Sequence, residues 1–280
     1  MEPPERHYAS RVALCGFGWA KDSGVRTVLS MPESHNVTAS PDSAAGLLQL
    51  AQTLQRLKQV PRQGWLDRGV SSLETESVAD HSLGVALLAW MAAIEARADG
   101  ADLDPTRVLM LALVHDLPEA EIGDWTPYAA DEVTAHDDAG DRAAFLNERQ
   151  VRSPERTAAK RAAEQAAIDR LVAVLGSAAA TTLADLWREL AAGVSPEARF
   201  VKQADRLETF LQSHAYAASD PSLPMASFRV EAGTEITDPV LSAIRDQALP
   251  NKGRQTSAWL TGRFRYLRQG PTGLRPAGQV

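Results

Sequence analysis

Ionisable side chains follow an apolar stretch in the middle of the chain. His115 and Asp116 end the run VLMLALVHD, and Glu119, Glu121 and Asp124 come soon after it. Helical spacing places both members of the His-Asp pair on an apolar surface. Burying an imidazole and a carboxylate together is costly unless the two groups are paired or bound to a metal. A divalent cation is therefore the simplest partner for this pair.

Helices must position these side chains, and the first is predicted from Ala44, where apolar residues at helical spacing begin. They are Leu47, Leu48, Ala51, Leu54 and Leu57. A second helix, from about Ser77 to Ala98, is apolar on nearly every side, as is typical of a central helix. Its inward-facing stripe includes His81. Taken alone, an inward histidine is usually a hydrogen-bonded core residue.

Capping signals predict further helices. Asp104 and Pro105 mark the start of the helix that leads to the His-Asp pair, and Pro118 interrupts it. Long helices are predicted to start at the Ser-Pro-Glu sequences of residues 153–155 and 195–197. The remaining helices are predicted over residues 181–192, 239–248 and 256–269. Since the sequence contains no glycine-rich phosphate loop and no parallel-strand unit, the predicted fold class is all-α.

The composition restricts the class of partner. The 280 residues, 44% of them hydrophobic, are enough for one large domain. A formal net charge of -7 provides no basic field for a nucleic acid polymer or an anionic membrane, which favours a small-molecule substrate. The single cysteine, Cys15, excludes a disulfide within the chain. Without a signal peptide or an apolar run of about 18 residues, a soluble cytoplasmic protein is expected.

The periodicity divides the chain into three regions. Residues 1–40 show little pattern beyond a short strand expected at 11–17, and are interpreted as an N-terminal extension. Residues 41–220 are expected to form the helical domain. Residues 221–280 are richer in proline and glycine, and are interpreted as a C-terminal helical extension packed on that domain. All candidate site residues fall in the middle region.

Two more ionisable residues belong with the His-Asp pair. His81 and Asp205 lie on predicted helices whose apolar faces should pack around the same core. For Asp205 alone, a surface salt bridge is the simpler interpretation. Together with His115 and Asp116, they make a set of two imidazoles and two carboxylates. Nitrogen and oxygen ligands of this kind suit one divalent transition metal, whether manganese, cobalt, iron, zinc or nickel.

The order of these motifs resembles the HD-domain metal-dependent phosphohydrolases, and within them the bacterial 5'-deoxynucleotidases and their HD-domain-containing relatives. The matching stretches are RQGW with RGV in residues 62–70, ESVADHS in 76–82, ALVHDLPEAEIGDWTP in 112–127 and VKQADRLE in 201–208. The resemblance implies an all-α HD-domain helical bundle that forms a homodimer. It also implies that one divalent metal is bound by His81, His115, Asp116 and Asp205.

The resemblance further implies roles for residues beside the metal. Glu119 and Asp124 match the acidic residues that the family uses there, and Arg62 and Trp65 match its substrate-contacting pair. Our hypothesis is that Glu119 orients or deprotonates the attacking water and that Arg62 holds the phosphate. Asp124 would face the sugar hydroxyls. From the residues alone, a core position for Trp65 and a solvated Arg62 is the simpler interpretation.

The predicted activity is metal-dependent release of phosphate from nucleoside or deoxynucleoside 5'-monophosphates. Two alternatives stay open at this point. The same centre could hydrolyse another phosphate ester, such as a nucleoside triphosphate or a biosynthetic nucleotide. The chain could also be a non-catalytic regulatory module that binds a nucleotide. The products formed from mono-, di- and triphosphates distinguish the first alternative from the predicted activity. Turnover with any divalent metal excludes the second alternative.

Overall fold

The structure is a computed structural model, and it describes residues 41–249. The helices in this range are α1 (Pro41–Leu57), α2 (Gln63–Asp67), α3 (Val78–Ala98), α4 (Pro105–Val114), α5 (Glu119–Ile122), α6 (Ala130–Thr134), α7 (Ala139–Asn147), α8 (Pro154–Val174), α9 (Ser177–Ala192), α10 (Pro196–Ser219), α11 (Ala226–Glu235) and α12 (Pro239–Ala248). No strand occurs within this range, which confirms the all-α prediction. The strand expected at 11–17 and the helix expected at 256–269 lie outside the described residues.

Four of the described helices, α3, α4, α8 and α10, begin where their starts were predicted. Ser77 and Asp80 form a capping box at the start of α3, because each side chain accepts a hydrogen bond from the other residue's backbone N–H. Asp104, Ser153 and Ser195 cap α4, α8 and α10, and each is followed by proline. These caps satisfy N–H groups that have no partner inside the helix. The local sequence thus fixes where each of these helices starts.

The main core lies where α3 packs against α4 and α10. Val85 and Ala89 of α3, Leu111 of α4, and Ala204 and Leu207 of α10 are fully buried in it. Alanine at the contact positions allows the helix backbones to approach closely. The prediction that α3 is the central helix is confirmed for the side that packs against α4 and α10.

One side of α3 is nevertheless exposed. Leu83, Leu87, Met91 and Ile94 are 58%, 50%, 47% and 40% exposed and recur at helical spacing, and we call them the α3 stripe. Among the described helices, α3 is the one long and apolar enough to cross a membrane, with 44% of its most apolar window buried in the protein. Length and composition of this kind also fit a core helix, which is the place α3 takes in this fold.

The apolar face predicted for α1 is wrong except at Leu57. The predicted leucines that turn out to be exposed are Leu47, Leu48 and Leu54. The side of α1 that packs inward instead carries Gly46, Thr53 and Leu57, which are buried. Thr53 can be buried because its hydroxyl donates to the carbonyl of Gln49. Gly46 can be buried because its lack of a side chain admits the end of α8.

Replacing Gly46 with alanine is expected to lower the free energy of unfolding by about 2–3 kcal/mol, the upper part of the range for overpacked sites. A Cβ atom there would lie 2.1 Å from the carbonyl oxygen of Val174 and 3.0 Å from Cα of Leu175, so backbone would have to move. The control is Gly233→Ala in α11, where a Cβ meets nothing within 4 Å. Urea unfolding should show the control unchanged or stabilised by about 0.5–1 kcal/mol. Equal stabilisation of both variants would contradict the contact between α1 and α8.

Helix α11 was not predicted, because no side chain caps its start at Met225. The start of α9 was also predicted four residues late, at residue 181 instead of Ser177. Both helices described between residues 220 and 249 contribute to the main core, through Ala232 and Ile236 in or next to α11 and Leu241 in α12. The domain boundary at residue 220 stays a prediction.

Candidate functional site

The four predicted metal ligands meet at one point beside the core. His81 lies in the first turn of α3, His115 and Asp116 directly follow α4, and Asp205 lies in α10. Nε2 of His81 is 3.1 Å from Oδ1 of Asp205 and 3.6 Å from Oδ2 of Asp116. Nε2 of His115 is 3.1 Å from the same Asp116 oxygen. The ligand atoms of His81, His115 and Asp205 all lie within 4.8 Å of one another.

Hydrogen bonds on the far side of each imidazole orient both rings toward this point. Nδ1 of His115 lies 2.7 Å from the carbonyl oxygen of Ala112, and Nδ1 of His81 lies 2.6 Å from Oε2 of Glu208. Both partners are acceptors, so each ring donates from Nδ1. A ring that donates from Nδ1 and carries no proton on Nε2 presents the lone pair of Nε2 to the centre, as a metal ligand must.

Unpaired buried atoms show that the centre fits a cation. Nε2 of His115 and Oδ2 of Asp116 are buried and have no hydrogen-bond partner within residues 41–249. Buried polar atoms without partners are costly and uncommon. A divalent ion would satisfy both atoms, and two nitrogen and two oxygen ligands are a usual set for such an ion. His81, His115, Asp116 and Asp205 are therefore the residues that would hold it.

The charges of the metal-free centre are strongly coupled. Burial disfavours ionisation of Asp116, but the nearby His115, His81 and Arg62 hold the pKa of its carboxyl well below the usual range. Burial and the charge of Arg62 oppose protonation of His81. The hydrogen bonds with Asp205 and Glu208 nevertheless raise the pKa of His81 to about 10. The carboxylates of Asp116 and Asp205 thus stay ionised at neutral pH and are available to a cation.

Glu119 lies next to the ligands, at the start of α5, and is 1% exposed. Its Oε1 accepts a hydrogen bond from Nζ of Lys160 at 2.9 Å, whereas its Oε2 is buried without a partner in the described part of the chain. Burial and the charge of Asp116 raise the pKa of Glu119 to about 8, although Lys160 opposes the shift. One oxygen is therefore fixed and the other is free to act.

No sequence motif identifies Lys160 as a residue of the site. It lies on α8, forty-one positions after Glu119, within an alanine-rich helix that has no recognisable motif. Its ammonium group also lies 3.3 Å from Glu164. Burial opposes its positive charge, but Glu119, Asp116 and Glu164 raise the pKa of Lys160 above its usual value. Only the folded chain shows that this lysine belongs to the site.

Arg62 and Asp124 form the next part of the site. Nη1 of Arg62 is 3.6 Å from Oδ2 of Asp116 and 3.7 Å from Oδ1 of Asp124. The other oxygen of Asp124 accepts the backbone N–H of Gln63 at 2.8 Å, which holds the start of α2 against the centre. These residues line a cavity of about 350 Å³ together with Glu119. The cavity is large enough for a ligand of nucleotide size.

Trp65 lies in the wall behind this cavity and is 2% exposed. Its ring packs against Tyr216 and Phe228, with centroids 5.2 and 4.8 Å away. Its indole N–H donates to Oε1 of Glu76 at 2.8 Å. Most of the ring is therefore occupied by protein contacts, and a direct contact with substrate stays a prediction.

The buried guanidinium of Arg68 lies in the same wall. It donates five hydrogen bonds, to the carbonyl oxygens of Gly64, Leu146 and Pro224 and to the hydroxyls of Tyr128 and Ser227. These acceptors lie in separate segments of the chain. The guanidinium also stacks over the ring of Phe228, 4.5 Å from its centroid. Arg68 therefore connects α2 to the segment that follows α5, to the end of α7 and to the start of α11.

Comparison with known proteins agrees with this geometry. A sequence model of the HD domain family matches residues 54–238. The 5'-deoxynucleotidase HDDC2 of Mus musculus is 33% identical over 178 residues, which cover 64% of this chain and 73% of that protein. The Homo sapiens protein of the same name is 31% identical over 186 residues, covering 66% of this chain and 76% of that protein.

A solved structure shares the fold. The PH0347 protein of Pyrococcus horikoshii OT3 is 28% identical, with a TM-score of 0.52, and the match covers 71% of this chain and 96% of that one. The family match spans the four predicted ligands, the cavity and the helices that carry them. The chain therefore belongs to the HD domain family, as its motifs had indicated.

Proposed function

We propose that this protein is a metal-dependent phosphohydrolase that releases phosphate from deoxynucleoside 5'-monophosphates. The observation that carries the proposal is one cavity lined by the predicted ligands Asp116 and Asp205, by the buried Glu119 and by Arg62. The substrate class is supported by the relatives named 5'-deoxynucleotidase, because the match to this chain covers more than two thirds of their length.

The residues of the chain fit the needs of phosphomonoester hydrolysis. A bound divalent ion supplies charge neutralisation at the phosphate and lowers the pKa of a bound water. Glu119 is placed to orient the attacking water through its free Oε2, while Lys160 holds the other oxygen in position. Arg62 presents a planar fork of N–H donors that matches the geometry of a phosphate.

The fixed position of the Asp124 carboxylate supports 2'-deoxyribose as the sugar of the substrate. Its Oδ2 is fixed by the backbone of Gln63 and its Oδ1 faces Arg62 across 3.7 Å, so the carboxylate cannot move freely. A fixed carboxylate that accepts one sugar hydroxyl leaves little room for a second hydroxyl on the neighbouring carbon. We therefore propose that Asp124 favours 2'-deoxyribose over ribose.

Phosphate release from matched nucleoside mono-, di- and triphosphates, each with ribose or deoxyribose, tests the proposal. The assay is run with Mn²⁺, Co²⁺, Fe²⁺, Zn²⁺ and Ni²⁺ in turn. Deoxynucleoside monophosphates should give inorganic phosphate and a nucleoside fastest. Release of pyrophosphate or triphosphate from the triphosphates would instead favour the alternative phosphoester activity. Tight nucleotide binding with no turnover under any metal would favour the regulatory module.

A homodimer is proposed on the support of the α3 stripe, since apolar residues exposed in a row along a helix are typical of protein interfaces. Light scattering at micromolar concentration should give twice the chain mass of 30.2 kDa. Leu87→Glu, in the middle of the stripe, should shift the mass to that of one chain. The control is Val194→Glu, at a residue 72% exposed and outside the stripe. A single 30.2 kDa species in the unaltered protein would contradict the dimer.

A further inference from the structure

We propose that Glu208 is a positioning residue for His81 and that Gly84 provides the space it needs, an inference that rests on the proposed metal-dependent function. Oε2 of Glu208 lies 2.6 Å from Nδ1 of His81, and Oδ1 of Asp205 lies 3.1 Å from Nε2 of the same ring. The two acids are three residues apart on α10 and therefore share one face of the helix. One helix thus contacts the imidazole at both nitrogens.

Gly84 makes this arrangement sterically feasible. It lies within α3, three residues after His81 and next to the side chain of Glu208. A Cβ atom at position 84 would lie 2.8 Å from Oε1, 3.2 Å from Cδ and 3.2 Å from Cγ of Glu208. Glycine inside a helix is unfavourable relative to alanine. The space taken by the Glu208 carboxylate gives a physical reason for its presence.

A second layer lies behind Glu208. The ligand-type atoms of Glu76, His81 and Glu208 also lie within 4.8 Å of one another. Oε1 of Glu76 already accepts the indole N–H of Trp65, and Nδ1 of His81 already bonds to Glu208. These atoms are engaged in hydrogen bonds within the protein. The Nδ1 side of His81 therefore acts as a support, and the Nε2 side faces the metal ligands.

The expected consequence concerns the affinity for metal. When the acceptor on Nδ1 is lost, the ring is free to rotate and to carry its proton on Nε2, where the metal should bind. Loss of such a supporting carboxylate typically weakens metal binding about 10–100-fold. Glutamine at position 208 keeps an oxygen that can accept from Nδ1 but removes the charge. Its effect should be smaller than that of alanine.

The first test is calorimetric titration of the metal-free protein with Mn²⁺. We expect the dissociation constant to increase in the order unaltered protein, Glu208→Gln, Glu208→Ala, with about a 10–100-fold increase for the alanine variant. The stoichiometry should stay at one ion per chain. Equal affinity of the alanine variant and the unaltered protein would overturn the inference. Two ions in the unaltered protein, one of which is lost in Glu208→Gln, would also overturn it, because Glu208 would then be a ligand.

The second test is a double-mutant cycle with Gly84→Ala, which separates displacement of Glu208 from a general change in α3. In the unaltered background, the added methyl group should push the carboxylate away and weaken Mn²⁺ binding. In the Glu208→Ala background it should leave Mn²⁺ binding unchanged and raise the melting temperature of the metal-free protein, because alanine favours the helix. An equal loss of affinity in both backgrounds would overturn the role assigned to Gly84.

Neither readout depends on turnover, so the two proposals can fail separately. An unaltered protein that binds Mn²⁺ but releases no phosphate refutes the proposed function, and the order of Mn²⁺ affinities still decides the role of Glu208. If the unaltered protein does not bind Mn²⁺, the titrations are repeated with Co²⁺, Fe²⁺, Zn²⁺ and Ni²⁺, and binding of none of the five ions overturns both. Melting temperatures of the metal-free variants show that each is folded, and Glu208→Gln, which is close in shape, carries the test if the alanine variant does not fold.

Discussion

Asp116→Ala is expected to abolish both metal binding and phosphate release. Oδ2 of Asp116 lies within 3.6 Å of Nε2 of both imidazoles and is buried without a hydrogen-bond partner in residues 41–249, so it is the central oxygen of the ligand cluster. A metal ion stabilises the transition state of such a reaction by several kcal/mol, so activity should fall by at least about 10³-fold without it. Elemental analysis after dialysis should show less than about a tenth of an equivalent of metal.

The melting temperature provides a measurement that is independent of turnover. A ligand that binds only the folded state raises the melting temperature. Added Mn²⁺ should therefore stabilise the unaltered protein but leave Asp116→Ala unchanged. The matched control is Asp102→Ala, at an exposed aspartate between α3 and α4, which should keep metal, activity and the shift in melting temperature. A full equivalent of metal in Asp116→Ala would contradict its assignment as a ligand.

Glu119→Gln is expected to keep the metal but lose about 10²–10⁴-fold in turnover, the usual contribution of a placed acid or base. Glutamine has nearly the same shape and can still accept the hydrogen bond from Lys160 at Oε1. It cannot accept a proton at the position of the free Oε2. Metal content, nucleotide affinity and turnover should be measured on the same preparation, because the prediction concerns turnover alone.

The control for this variant is Glu164→Gln. Glu164 is the other carboxylate in contact with Lys160, at 3.3 Å, but it is not among the residues that line the cavity. Turnover should therefore stay within about threefold of the unaltered protein, since one partly exposed ion pair contributes little. If Glu119→Gln folds, holds metal and turns over at the unaltered rate, Glu119 has no part in the reaction and Asp124 becomes the next carboxylate to test.

The helix starts and the ligand set were predictable because the signals that specify them are local. Ser77, Asp104 and Ser195 determine their helix starts within a single turn. His81 and Asp205 were predictable as metal ligands only because they belong to an ordered set of motifs. Taken alone, each residue favoured an ordinary structural role. The structure brings them within 3.1 Å of each other.

The remaining features depend on contacts between distant parts of the chain. Lys160 meets Glu119 across forty-one residues, and nothing in the neighbourhood of either residue indicates the pair. The packed face of α1 is set by its contacts with α3, α5 and α8, and the end of α8 lies where any side chain at Gly46 would clash. Trp65 was placed near the substrate by motif alone, whereas its indole N–H is used by Glu76. Hydrophobic periodicity identifies helices but not their partners.

The hydrogen bonds of Arg68 also hold the cavity wall together. Its contacts with Pro224 and Ser227 join residues that are 156 and 159 positions apart in the chain. The small cluster around Trp65 and Tyr216 is separate from the main core. The wall should thus behave as its own cooperative unit, able to open while the core of α3, α4 and α10 stays folded. Access to the site would then be set by the stability of this unit.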